Sequence, residues 1–174
     1  LILRQYAANQ GHINWGAYPL ADYSLDTLHQ AISWVPQEPF LFSASVAENI
    51  GLAKADATRS EIENAARLAC IDDDIKRMPQ GYDTPVGEKG ISLSGGQRQR
   101  VAIARALLAD ASLLLLDDAL SAVDTQTETT ILQHLLALRK NSPNKTTLIV
   151  SHRLSAVMDA EHILVLKDGS IVEQ

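Results

Sequence analysis

The segment Leu113-Leu-Leu-Leu-Asp117-Asp118 limits the possible folds more than any other part of the chain. An apolar run of strand length, with no polar alternation, must be covered on both faces, which is the situation of a strand inside a parallel sheet. Parallel neighbours need a crossover, and the sequence supplies one. A helical pattern runs from about Thr125 to Arg139 and is followed by Thr146–Val150, a second strand. Strand, helix and strand of these lengths predict a βαβ unit, and therefore an α/β fold. Ligands in open α/β sheets bind beyond the carboxyl ends of the strands, so Asp117 stands where a binding carboxylate would be expected. Taken alone the pattern is weak, because Asp also caps the turn after an apolar strand.

The remaining sequence divides into zones around this unit. Residues 1–37 mix helix and strand: Leu1–Tyr6 reads as the tail of an amphipathic helix, then come a turn at Gly11, a short strand around His12–Trp15, and another at Ala31–Pro36. Residues 38–109 are mostly helical, with Thr58 and Glu61 forming a capping-box signature ahead of Ile62, Ala65, Ala66 and Ala69. Residues 110–174 alternate strand and helix, with a strand at His162–Leu166, a turn at Asp168-Gly169 and an unfinished strand in Ser170–Gln174. The absence of an initiator methionine and the opening helix tail suggest a piece of a longer chain. A length of 174 residues, with 46% hydrophobic and 21% charged, suits one globular domain. The net charge of −6 offers no basic stripe for a nucleic-acid backbone, so no nucleic-acid partner is expected. The single cysteine, Cys70, excludes an intrachain disulfide and reads as a small buried hydrophobe on a helix. No apolar run approaches the length of a membrane span.

A second chemical signal is Leu93-Ser-Gly-Gly-Gln97, which opens a helix running to about Leu108. Ser94 as N-cap and Gln97 three residues on make a capping box, which accounts for two of the residues structurally. It does not account for Gly95 and Gly96, because glycine is a poor choice for a first helical turn. Two glycines there leave backbone N–H groups open at the positive end of a helix, a place suited to phosphate. The phosphate loop Gly-x-x-x-x-Gly-Lys-Ser/Thr does not occur in the sequence.

Together these residues resemble the ATP-binding domains of ABC transporters. Leu93–Gln97 resembles the signature motif, Asp117 the Walker B aspartate, Gln37 the Q-loop glutamine, Ser121-Ala-Val-Asp124 the D-loop and His152 the switch histidine. All five stand in the family's order over essentially the whole chain. The resemblance implies a P-loop NTPase (RecA-like) core in residues 1–37 and 110–174, with an inserted α-helical subdomain at 38–109. It implies ATP and Mg2+ as cofactors, with Asp117 and Gln37 at the metal. It places Asp118, His152 and Gln37 in catalysis, and Ser94, Gly95, Gly96, Gln97 and Asp124 at nucleotide across a dimer interface. The implied partners are a second nucleotide-binding domain and the transmembrane domain of the parent chain, at the cytoplasmic face of a membrane.

Finer features resemble exporters. Phe40–Ile50 is similar to the stretch that meets coupling helices, and Thr84-Pro-Val-Gly-Glu-Lys-Gly90 is similar to the X-loop, with Pro85 replacing the usual glutamate. The interval from Gln37 to Ser94 is too short for the coiled-coil insertion of chromosome-associated ABC ATPases. Asp118 departs most from the family, which usually has glutamate there to polarise the attacking water. Its shorter carboxylate implies a weakened site, as in one subunit of heterodimeric multidrug-type exporters. Two other readings stand beside this one: a soluble ABC ATPase acting on ribosomes or DNA, and a regulatory domain that binds nucleotide without turnover.

Overall fold

A computed structural model of the chain describes residues 1–87 and 91–174. Strands β1 (Asn14–Trp15) and β2 (Tyr18–Pro19) form a small antiparallel hairpin, followed by helix α1 (Leu25–Ala31), capped by Ser24, and strand β3 (Ile32–Val35). Strand β4 (Ala44–Ser45) and helices α2 (Val46–Gly51), α3 (Arg59–Leu68) and α4 (Asp72–Lys76) come next. Strand β5 (Pro85–Val86) pairs antiparallel with β4, and helix α5 (Gly95–Leu108) leads into strand β6 (Leu113–Asp117). Helix α6 (Thr125–Lys140), strand β7 (Thr146–Val150) and the hairpin β8 (Val165–Lys167) and β9 (Ser170–Glu173) complete the chain.

The organising element is the parallel sheet β3-β6-β7, with the leucine strand in the middle. Its register sets Val35 beside Leu116 and Asp117 beside Val150, so the carboxyl ends of all three strands lie together. Alternate side chains serve two packing layers. Val35, Leu114, Leu116 and half-buried Ile149 join the main core with α2, α3, α5 and α6. Ile32 and Leu113 pack on the other face with Leu20 and Leu28 in a smaller cluster.

The βαβ reading of residues 113–150 agrees with the structure, as do the capping boxes at Thr58 and Ser94. Leu1–Tyr6 does not form the helix expected of it: Arg4 has φ +53° and donates its amide to the Leu1 carbonyl at 2.9 Å, closing a turn. Six residues cannot repay the nucleation of an isolated helix, and the Arg4 side chain is drawn to the Tyr23 carbonyl instead. Helix α1 lies where no helix was expected, and the last strand pairing begins at Val165 rather than His162. Cys70 is half-buried and not on a helix: it stands in the turn after α3 at φ +55°. Burial raises its thiol pKa. The end of the expected X-loop, residues 88–90, lies outside the described residues.

Candidate nucleotide site

The sheet brings several of the expected residues to one edge. Asp117 is the last residue of β6 and is half-buried, while exposed His152 lies two residues beyond Val150, its register partner. Exposed Gln37 lies two residues past the end of β3. Its Nε2 donates to Asp118 Oδ2 at 3.3 Å, joining residues 81 positions apart. Asp118 continues the β6–β7 ladder by donating its amide to the Val150 carbonyl at 2.8 Å, and its φ is +48°. Left-handed backbone favours Asp, Asn and Gly over longer side chains, so aspartate suits this position conformationally.

The signature segment forms a different cluster. The Ser94 hydroxyl accepts the Gln97 amide at 3.2 Å and Gln97 Oε1 accepts the Ser94 amide at 3.0 Å, closing the capping box. Gln97 also donates through Nε2 to Asp74 Oδ1 at 3.3 Å, which ties the helix start to α4. The amides of Gly95 and Gly96 are not used by the box. Gly96 has a further reason to be glycine: a Cβ there would lie 2.7 Å from the Ala122 carbonyl oxygen, whereas one at Gly95 would meet only the Ala122 methyl at 3.4 Å. The loop after β6 is thus seated directly on the start of α5. Exposed Asp124 ends that loop and caps α6 by accepting the Thr127 amide at 3.0 Å, which lowers its pKa.

Two residues that sequence reading passed over connect these clusters. Gln99 on α5 is only 3% exposed. Its Nε2 donates to the Gln37 carbonyl at 3.3 Å and the Ser121 hydroxyl at 3.1 Å, and its Oε1 accepts the Ala122 amide at 2.9 Å. Arg153, next to His152, donates to the carbonyls of Ser121 and Val123 at 2.6 and 3.0 Å. The signal for Gln99 was available: it occupies the same helical stripe as Ala102, Ile103 and Ala106, where a polar residue needs an internal partner.

A third feature lies beside Gln37. Buried Asn49 accepts the Phe42 amide at 2.9 Å and donates to the Phe42 and Ser45 carbonyls at 3.0 Å each. Arg105 reaches the Asn49 carbonyl at 2.7 Å and the Phe40 carbonyl at 3.2 Å. These bonds hold Phe40 and Phe42 exposed, packed edge to face with ring centroids 5.1 Å apart. A groove of about 360 Å³ runs past them between Trp34, Pro36 and Ala102.

The chain belongs to the ABC transporter family, whose family model matches residues 1–121. It is 49% identical over 174 residues to the multidrug resistance-like ATP-binding protein MdlA of Escherichia coli (strain K12), all of this chain aligning with 29% of that protein. It is 47% identical to the probable multidrug resistance ABC transporter ATP-binding/permease protein YheI of Bacillus subtilis (strain 168), with 99% of this chain and 29% of the relative covered. A bacterial Atm1-family ABC exporter solved with ATP bound superposes with a TM-score of 0.91 at 42% identity, covering 99% of this chain and 30% of that one. The fold is therefore the P-loop NTPase fold of ABC proteins. The chain spans under a third of the length of the relatives it matches.

Proposed function

We propose that residues 1–174 belong to the ATP-hydrolysing domain of an ABC exporter, coupling ATP binding and hydrolysis to export of a small or lipophilic compound. The observation that carries this reading is the 3.3 Å contact between Gln37 and Asp118, beside Asp117 at the sheet's carboxyl edge. Residues 1–37 and 110–174 would be core portions, and 38–109 the helical subdomain.

The donor set fits Mg2+ with ATP. A carboxylate and a neutral amide at one edge provide the few oxygen ligands magnesium accepts from protein when phosphates supply others. Bound magnesium neutralises charge on the transferring phosphoryl group. Asp117 would hold the metal, and the Gln37 side chain would orient both metal and attacking water. His152 would donate to the terminal phosphate. Asp118 would stand at the position of the base, with a carboxylate a methylene shorter than glutamate and engaged by Gln37. Ser94, Gly95, Gly96 and Gln97 would face the nucleotide of a second ABC domain, with Asp124 running along the same interface.

The pairing is asymmetric on this reading. The chain lends an intact signature helix to its partner's site while its own site turns over slowly, as one subunit of a heterodimer. The rigidly held pair Phe40 and Phe42 and the adjoining groove would receive the transmembrane domain of the parent chain, at the cytoplasmic face of the membrane.

The test is Mg-ATP turnover by the full-length exporter in lipid vesicles. Ser94→Arg, in the helix lent to the partner's site, is expected to lower turnover at least about 10-fold while the protein still inserts and folds. Wild-type protein without ATPase activity contradicts the reading.

A further inference from the structure

Arg153 gathers an unusual set of acceptors. Its Nη1 donates to Glu128 Oε2 at 2.5 Å and to the carbonyls of Val123 at 3.0 Å and Leu120 at 3.4 Å, and its Nη2 donates to the Ser121 carbonyl at 2.6 Å. Glu128 is 1% exposed, and its second oxygen accepts the Ser155 hydroxyl at 2.8 Å. Three carbonyls of the loop between β6 and α6 thus converge on one guanidinium, which in turn satisfies a buried carboxylate on α6. A planar fork of five donors can hold several acceptors in fixed directions, whereas an ammonium cannot.

The loop so held begins at Asp118 and ends at Asp124. Its start is fixed to β7 by the Asp118 amide on the Val150 carbonyl, and the Ser121 hydroxyl donates to the Asp118 carbonyl at 2.8 Å. Arg153 is covalently next to His152, so a shift of the His152 peptide carries the guanidinium with it. Every carbonyl it grips would follow.

We infer that Arg153 is a positioning residue that couples His152 to the loop 118–124, so that the state of this chain's own site is felt by the segment facing its partner. The inference rests on the ATPase reading above. Its chemical content is separate: orientation of the loop by a fork of hydrogen bonds, not neutralisation of Glu128.

The test uses the full-length exporter in lipid vesicles, with turnover normalised to sites labelled by a photoreactive ATP analogue. Arg153→Met and Arg153→Lys are both expected to lower kcat at least about 10-fold, with KM for ATP within about 3-fold of wild type. Lysine keeps a cation for Glu128 but cannot reach three carbonyls, so recovery of kcat in Arg153→Lys overturns the inference in favour of simple charge pairing. Wild-type kcat in both variants also overturns it. Should Arg153→Met misfold, Arg153→Lys carries the test, and loss of photolabelling in Arg153→Lys would make Arg153 a folding residue and refute the coupling. An inactive wild type would refute the ATPase reading instead.

Discussion

Gly95 and Gly96 look equivalent in sequence, and the Ala122 carbonyl separates them. Adding a methyl at Gly96 requires backbone to move, because the nearest atom would be a carbonyl oxygen at 2.7 Å. Gly96→Ala is therefore expected to cost about 1–3 kcal/mol, as overpacking usually does. At Gly95 the contact of 3.4 Å is ordinary, and alanine's better helix propensity, worth up to about 1 kcal/mol, offsets any crowding. Urea denaturation of the two variants checks the order; equal losses would show that the loop gives way freely at Gly96. The sequence motif made both glycines visible as candidates for anion approach. It could not reveal the loop lying across one of them, since that contact joins α5 to a segment beyond β6.

Elements whose signals are local were readable. The leucine strand, α6 and β7 follow from periodicity and length, and α3 follows from Thr58 and Glu61. Elements set by tertiary contacts were not, as the turn at Arg4 and the turn position of Cys70 show. The α3 cap also carries a pH prediction. Glu61 accepts from Lys54 and from the Thr58 amide, and these bonds, the Lys54 one foremost, lower its pKa from 4.5 to about 2. A depressed carboxylate contributes stability that is present above its unfolded value and disappears as pH falls through its folded one. Glu61→Gln should thus be less stable than wild type near neutrality, with the gap narrowing as pH drops from 4.5 toward about 2. Denaturant midpoints across that range measure it; a gap independent of pH would show that the cap does not depend on the charge.

At the scale of the whole molecule, the parallel sheet is covered unevenly. Helices bury the face carrying Val35, Leu114 and Leu116, while Trp34, Leu148 and Val150 remain 40%, 39% and 49% exposed. Parallel sheets are normally covered on both sides. Residues 1–174 alone are therefore expected to bind a hydrophobic dye such as ANS strongly; weak binding would mean that the open face is closed by a rearrangement. The candidate site was legible to the same degree as the fold. Asp117, Asp118, Gln37, His152 and the Ser94 helix carry recognisable spacings, and the structure sets Gln37 against Asp118. The buried side chains that link them, Gln99 and Arg153 with Glu128, depend on which loops meet in space. Glu128 did leave a trace, since it lies on the same stripe of α6 as Ile131 and Leu135. The measurement closest to the proposed asymmetry is Mg-ATP turnover by the assembled full-length exporter carrying Ser94→Arg or Asp118→Asn. Ser94→Arg should abolish turnover and Asp118→Asn should change it little. Near-complete loss in Asp118→Asn would contradict the proposal that this chain's own site is the weaker one.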